Sequence, residues 1–354
     1  MADNPAQVVT VIVPAYNVAG TIHETLLSVR SQTHTALEII VVDDGSKDHT
    51  RQVVERHAAD DPRIRLLHQA NAGVASARNT ALAQATGAYL APIDADDLWR
   101  PDKIARQLAL MLERGPGVEL VYTWFAEIDD ESRVRKIVMP CEEGRVLAAL
   151  CHGNFVGHAS SPLMRTDGVR QVGGYDTSLR ASAAQGCEDW QLYLRLADFG
   201  EFAVIKLPLT GYRITEKSMS SDISQMLRSY RLVLSRVQVA HPEYAEDLRR
   251  GLQGITKYFL KRSFKAARYR AALVELVRSS RMDPQLGLDM LGYVTQKMRT
   301  LRVGSVAQPG TRSVAAAERP YFLDGRIESV RAASSSSRFP SGKGLGELRV
   351  AKQL

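Results

Sequence analysis

Cysteine is scarce in this chain: three residues, Cys141, Cys151 and Cys187, stand among 354. An odd set without a CxxC pair supports neither a disulfide framework nor a four-ligand zinc site, and it fits a reduced compartment. Apolar runs long enough to cross a bilayer are missing, the longest being strand-sized stretches such as Val8–Ala15. The first residues also lack the basic stretch and small-residue cleavage site of a secretory signal. The expectation is a cytoplasmic protein, peripheral at most at the inner face of the membrane. No glycine-rich phosphate loop follows the first apolar run. That argues against a dinucleotide dehydrogenase and against a nucleotidyltransferase.

What is present is ordinary in bulk, with 45% hydrophobic and 24% charged residues, and long enough for two domains or one domain with an appendage. The net charge of +7 hides an asymmetry. Residues 1–207 carry −7 and residues 208–354 carry +14.

The first third alternates β-branched apolar runs with helix-period segments, the pattern of a parallel sheet wrapped by helices. Strands are expected over Val8–Val13, Glu38–Val42, Ile64–His68, Tyr89–Ile93 and Leu120–Phe125. Helices are expected over Thr21–Gln32, His49–Ala59, Gly73–Ala85 and Pro101–Arg114, with Pro101 in a first helical turn. Another helix-period segment, Trp190–Leu196, follows Glu188-Asp189.

Ligands of open α/β sheets sit beyond the carboxyl ends of the strands. Here those ends read Pro14-Ala15-Tyr16-Asn17, Asp43-Asp44-Gly45-Ser46 and Asp94-Ala95-Asp96-Asp97. The DxD triplet offers hard oxygen ligands of the kind Mg²⁺ or Mn²⁺ uses together with phosphate oxygens and water. Tyr16 offers a ring for a nucleobase, Asp44 an acceptor for a base N–H, and Arg78 a guanidinium for phosphate near Asn71 and Gly73. Each has a plainer reading: a packing aromatic, an Asx turn and a surface arginine. Three polar strand ends on one rim favour the site.

In this order and spacing, VTVIVPAYN, IIVVDDGSKDHT, ANAGVASARNTAL and YLAPIDADDLWRPDKIARQ resemble the nucleotide-sugar-binding half of inverting family 2 glycosyltransferases. GGYDTSLR and CEDWQLYLRLA are similar to the acceptor half. The resemblance runs from about Val8 to Arg213 and implies a GT-A fold: a mostly parallel central sheet flanked by helices, with a C-terminal helical appendage. It implies a nucleotide-diphosphate sugar donor, a hydroxyl acceptor such as a glycan or lipid-linked glycan, and a role in polysaccharide, glycolipid or cell-envelope glycan synthesis. A divalent cation, Mn²⁺ or Mg²⁺, is implied as cofactor. By the same resemblance Pro14, Tyr16 and Asn17 line the nucleoside pocket, Asp44 contacts the base, and Asn71, Arg78, Asp94 and Ala95 adjoin the nucleotide sugar. Asp96, with Asp94, holds the metal. Asp189 is the general base, with Glu188, His158 and His152 as alternatives, and the extra Asp97 leaves open which carboxylate meets the metal.

The domain reading is a catalytic unit over 1–213, split near 125 into donor and acceptor halves, then a basic helical region over 214–302 and a disordered tail over 303–354. Residues Lys257–Arg270, basic and interleaved with aromatics, read either as a solvated face or as a surface for anionic membrane. Nucleic acid ranks last, because no DNA- or RNA-binding motif accompanies the charge. A silent nucleotide-binding scaffold that recruits partners through this region is the competing function.

Overall fold

Period-two alternation decides how the core divides. The computed structural model describes residues 7–214, 222–265 and 269–282, scattered positions over 284–295, and 321–324. In chain order the elements are β1 (Val9–Ala15), α1 (Ile22–Arg30), β2 (Leu37–Asp43), α2 (Thr50–Asp60), β3 (Ile64–His68), α3 (Val74–Gln84), β4 (Tyr89–Pro92), β5 (Leu98–Trp99) and α4 (Lys103–Arg114). There follow β6 (Val118–Ile128), β7 (Val134–Val138), α5 (Leu147–His152), β8 (Leu163–Arg165), α6 (Thr166–Gln171), α7 (Ser178–Ala181), α8 (Glu188–Phe199) and β9 (Glu201–Arg213). Helices α9 (Ile223–Ala240), α10 (Ala245–Lys265) and α11 (Tyr269–Met282) complete the chain order.

The strands form one sheet in the order β3-β2-β1-β4-β8-β6-β9-β5, with β7 paired to the far end of β6. Strands β3, β2, β1 and β4 run parallel, and short β8 reverses direction between β4 and β6. Val9, Val11 and Val13 pack with Leu26, Ile104 and Leu108 on one face. Ile12, Ile40 and Val42 belong to the opposite cluster with Ala77, Trp190 and Leu196. Both faces are therefore covered, as parallel strands require.

The helical region is part of that second core. Leu227, Tyr230 and Val233 of α9 and Leu248, Ile255 and Phe259 of α10 are buried in the same cluster as α3 and α8. Tyr230 stacks on Trp190 with ring centroids 4.1 Å apart. The basic stripe is partly engaged within the protein: Lys257 pairs with Asp289 at 2.5 Å, and Lys261 lies over the Tyr293 ring. The side chains of Phe264, Lys265, Arg268 and Tyr269, and Ser334–Ser337 of the expected tail, lie outside the described residues.

Pro101 is displaced from its expected position. Its carbonyl accepts the Thr33 N–H at 2.8 Å, and α4 begins two residues later, after Asp102. Gly73, expected inside its helix, precedes it with φ +91°, a conformation that suits glycine. Within the segment expected to be disordered, Tyr321–Asp324 docks on the sheet with Phe322 fully buried.

Removing the ring of Tyr230 opens a cavity between the sheet and the appended helices. Tyr230→Ala should destabilise the protein by about 3 kcal/mol, read as a lower midpoint in urea with an unchanged slope.

Candidate functional site

Because β1 lies between β2 and β4 in a parallel register, the three polar strand ends share one rim. Tyr16 is 44% exposed there, leaving its ring face open. Asn17 adopts φ 51°, which asparagine tolerates, and ties the first rim turn to the second by accepting the Lys47 N–H at 2.8 Å. Pro14 is half-buried at the end of β1. Asn17 thus braces the rim, a role its sequence position did not distinguish from lining a pocket.

Asp44 is buried, and its carboxylate accepts Gln69 Nε2 at 2.7 Å and the Ala72 and Gly73 N–H groups at 2.8 Å each. The local Asx bond belongs instead to Asp43, which accepts the Ser46 N–H. Asp44 therefore sets the loop entering α3. Asn71 donates to the Asp44 carbonyl and accepts from Arg180 at 2.7 Å. Gly73 beside this crossing of loops is held at φ +91°, so the position favours glycine.

Arg78 is the hub. It is 3% exposed, which sets aside the plainer reading of a surface arginine. Its Nη2 donates to Asp94 Oδ1 at 2.6 Å, its Nη1 to Glu188 Oε1 at 3.2 Å, and its guanidinium lies over the Tyr175 ring. Burial opposes the charge, but the carboxylates, led by Asp94, outweigh it and raise the arginine further above its ordinary value. Its Nε is buried without an acceptor among the described residues, as is the Tyr175 hydroxyl.

The acidic residues separate by environment. Asp97 is fully buried beneath the DxD turn, accepting Ser160 Oγ at 2.5 Å and the Arg213 N–H at 2.8 Å. Burial and the charges of Asp96 and Asp94 push it well above the usual carboxylate range. Asp94 and Asp96 remain partly accessible, and Ala95 between them is buried, its carbonyl held by Thr21 Oγ1 at 2.9 Å. Desolvation, then the neighbouring Asp94, lift Asp96 to about 6. Two crowded hard carboxylates suit a divalent cation that completes its shell with diphosphate oxygens and water. Among the described residues no group of three or more His, Cys, Asp or Glu side chains forms a closed metal site.

Glu188 and Asp189 open α8 but face different partners. Glu188 is buried, pairing with Arg78 and accepting the Gly186 N–H at 3.0 Å. Asp189 accepts only the Trp190 N–H among the described residues. Desolvation and the Glu188 charge raise it to about 7, despite the opposing Arg78. Both histidine alternatives have partners within the fold, and His158 also lies 3.8 Å from Asp97 behind the DxD turn. His152 pairs with Asp247 of α10 at 2.7 Å, and His158 stacks on Tyr212, its Nδ1 accepting the Ser160 N–H.

Residues missed from sequence include Tyr175 beneath Arg78 and Arg213 behind the DxD turn. Arg213 is 2% exposed and gave no signal, because its partners are largely backbone carbonyls far away in the chain.

Residues 10–173 match the sequence model of "Glycosyl transferase family 2". The chain is 39% identical over 133 residues to the Escherichia coli UDP-Glc:alpha-D-GlcNAc-diphosphoundecaprenol beta-1,3-glucosyltransferase WfgD, a match covering 37% of this chain and 51% of that protein. This chain thus spans about half the length of that curated relative. Its fold is similar to S. aureus TarS 1-349 in complex with UDP, with TM-score 0.55 and 20% identity over 89% of this chain and 99% of the other. It also resembles a Pyrobaculum calidifontis mannosyltransferase in complex with GDP-Man and Mn²⁺, with TM-score 0.50 and 20% identity, covering 84% and 88%.

The contrast between adjacent carboxylates is measurable. Asp97→Ala should destabilise the fold by about 3 kcal/mol, because the Ser160 hydroxyl and Arg213 N–H lose a buried acceptor. Asp96→Ala should leave the melting temperature within a few degrees of wild type and abolish Mn²⁺-dependent affinity for a nucleoside diphosphate, read by calorimetry.

Proposed function

We propose, from the membership of residues 10–173 in glycosyl transferase family 2, that this chain transfers a glycosyl group from a nucleoside-diphosphate sugar to a hydroxyl acceptor, inverting the anomeric carbon. The observation that carries this reading is the split of the Glu188-Asp189 pair around Arg78. One carboxylate neutralises the buried cation, and the next, without a direct cation partner, has its basicity raised into the neutral range.

The donor's nucleoside lies along the rim between Tyr16 and the loop set by Asp44, with its diphosphate towards Asp94 and Asp96. A divalent cation held by these two aspartates would neutralise the departing diphosphate. Arg78 fixes Asp94 against the acceptor side, and its unpartnered Nε supplies a donor for an oxygen acceptor. Asp189 takes the proton from the acceptor hydroxyl as the new C–O bond forms and the sugar–phosphate bond breaks. A single displacement of this kind inverts the centre. The neighbouring Mn²⁺ complex supports a metal-dependent enzyme, and the likeness to WfgD supports a glycan or lipid-linked acceptor in envelope glycan synthesis.

Three free thiols suit a cytoplasmic site of action. Among the described residues no helix is long and apolar enough to cross a membrane. Contact with an anionic membrane face would fall to α11, which exposes Leu273, Val274 and Val277 beside Arg270, Arg278 and Arg281. Charge reversal of the three arginines should abolish salt-sensitive flotation with anionic liposomes. Equal flotation of both proteins would remove this contact from the reading.

Asp189→Asn should keep donor affinity and lose about a thousandfold in turnover. In wild type at saturating Mn²⁺, kcat/KM should fall below pH about 7, since the base works only when deprotonated and protons fill it as pH drops. A panel of nucleotide sugars with Mn²⁺ tests the class: nucleotide binding without hydrolysis or transfer for any donor would leave a nucleotide-binding scaffold.

A further inference from the structure

The DxD turn is held from behind by groups that never reach the cleft. Arg213 Nε donates to the Asp96 carbonyl at 2.7 Å, and its backbone N–H donates to the Asp97 carboxylate. Nη1 donates to the carbonyls of Asp129 and Asp130, and Nη2 to Glu24 Oε2 and Ser132 Oγ. With these bonds made, the guanidinium has no role left as a ligand-binding group.

Ser132 connects this arginine to a distant part of the chain. Its hydroxyl donates to the Glu24 carboxylate and accepts from Arg213, it adopts φ 60°, and its carbonyl accepts the Phe322 N–H at 3.0 Å. The Phe322 ring is fully buried with Leu98, Ala126, Ile128, Val134 and Ile137. Leu98 directly follows Asp97, so the ring also packs behind the DxD turn through apolar contact. A Cβ on Gly211 would lie 2.9 Å from Phe322 Cδ1, so β9 leaves room for this ring. Next to it, Tyr321 lies under Arg133 and accepts its Nη2 at 2.9 Å.

We propose that Tyr321–Asp324 is an intramolecular peg, and that Phe322, Ser132 and Arg213 are positioning residues that order the DxD turn for the diphosphate and its cation. The proposal deepens the donor-site reading above and rests on it for the cation. Its structural part can be read without any metal. A peg that only added stability would leave the turn's own hydrogen bonds, Asp97 N–H to Asp94 and Asp94 N–H to Ser160, as protected as before.

The test uses the full chain with Phe322→Ala, the conservative Phe322→Leu, and Ser132→Ala, which cuts the hydroxyl link while leaving the ring seated. Hydrogen exchange without metal should quicken about tenfold in the peptide spanning residues 93–99 for Phe322→Ala and Ser132→Ala, with β1 to β3 unchanged. Phe322→Leu should recover most of the protection. Mn²⁺ alone, titrated by electron paramagnetic resonance, should bind about tenfold more weakly to the two affected variants. Unchanged exchange at 93–99 in Ser132→Ala would overturn the proposal, whatever Phe322→Ala does to the fold. Quickened exchange with no Mn²⁺ binding even by wild type would instead count against the cation reading and leave the peg's ordering role standing.

Discussion

The cleft depends on one buried cation. Arg78 reaches Asp94, 16 residues further along the chain, and Glu188, 110 residues further along, and it cannot shed its charge. A guanidinium taken out of water needs those carboxylates, and they need it. The strand-end turn at Asp94 and the start of α8 are therefore locked together electrostatically through α3. The same bond divides the work of two adjacent acids. The longer Glu188 side chain is spent on the arginine, which leaves Asp189 desolvated, close to a like charge and more basic than an ordinary aspartate.

Much of this architecture was legible in the sequence, for a definite reason. Parallel strands buried on both faces write themselves as continuous apolar runs, and their carboxyl ends must then carry whatever chemistry the sheet has. The strand ends carrying Asp44, Asp94 and Asp96 were singled out that way, and the parallel register brings those ends onto one rim. What each does there was less legible. Asp44 and Asn17 read as nucleoside contacts, and in the structure their side chains also bind neighbouring loops; Asp97 left open which carboxylate would meet a metal, and it turns inward. Orientation at a strand end depends on partners such as Ser160 and Arg213 that lie 63 and 116 residues away.

The histidines show the opposite case. Their plain reading as structural residues fits their surroundings: His158 is a buried ring with stacking and hydrogen-bond partners, and His152 is paired with Asp247 of α10. Arg213 was invisible for a related reason: contacts to backbone carbonyls leave no mark on the identity of the residues that provide them. Phe322 was hidden by composition, part of a short Tyr-Phe-Leu island in a long stretch of small and polar residues, where a local scan finds disorder.

The turn between α7 and α8 has a consequence for how such a protein can change over generations. It leads directly into Asp189, and α9 holds it through the backbone carbonyls of Ala183 and Gln185, which accept Arg228 Nε and Gln225 Nε2. A carbonyl is the same on every amino acid. Substitutions at Ser182 and Gln185 can therefore alter the surface beside Asp189 while the tethers persist, whereas the left-handed backbone of Ala183 (φ 48°) and the burial of Ala184 restrict the two positions between them.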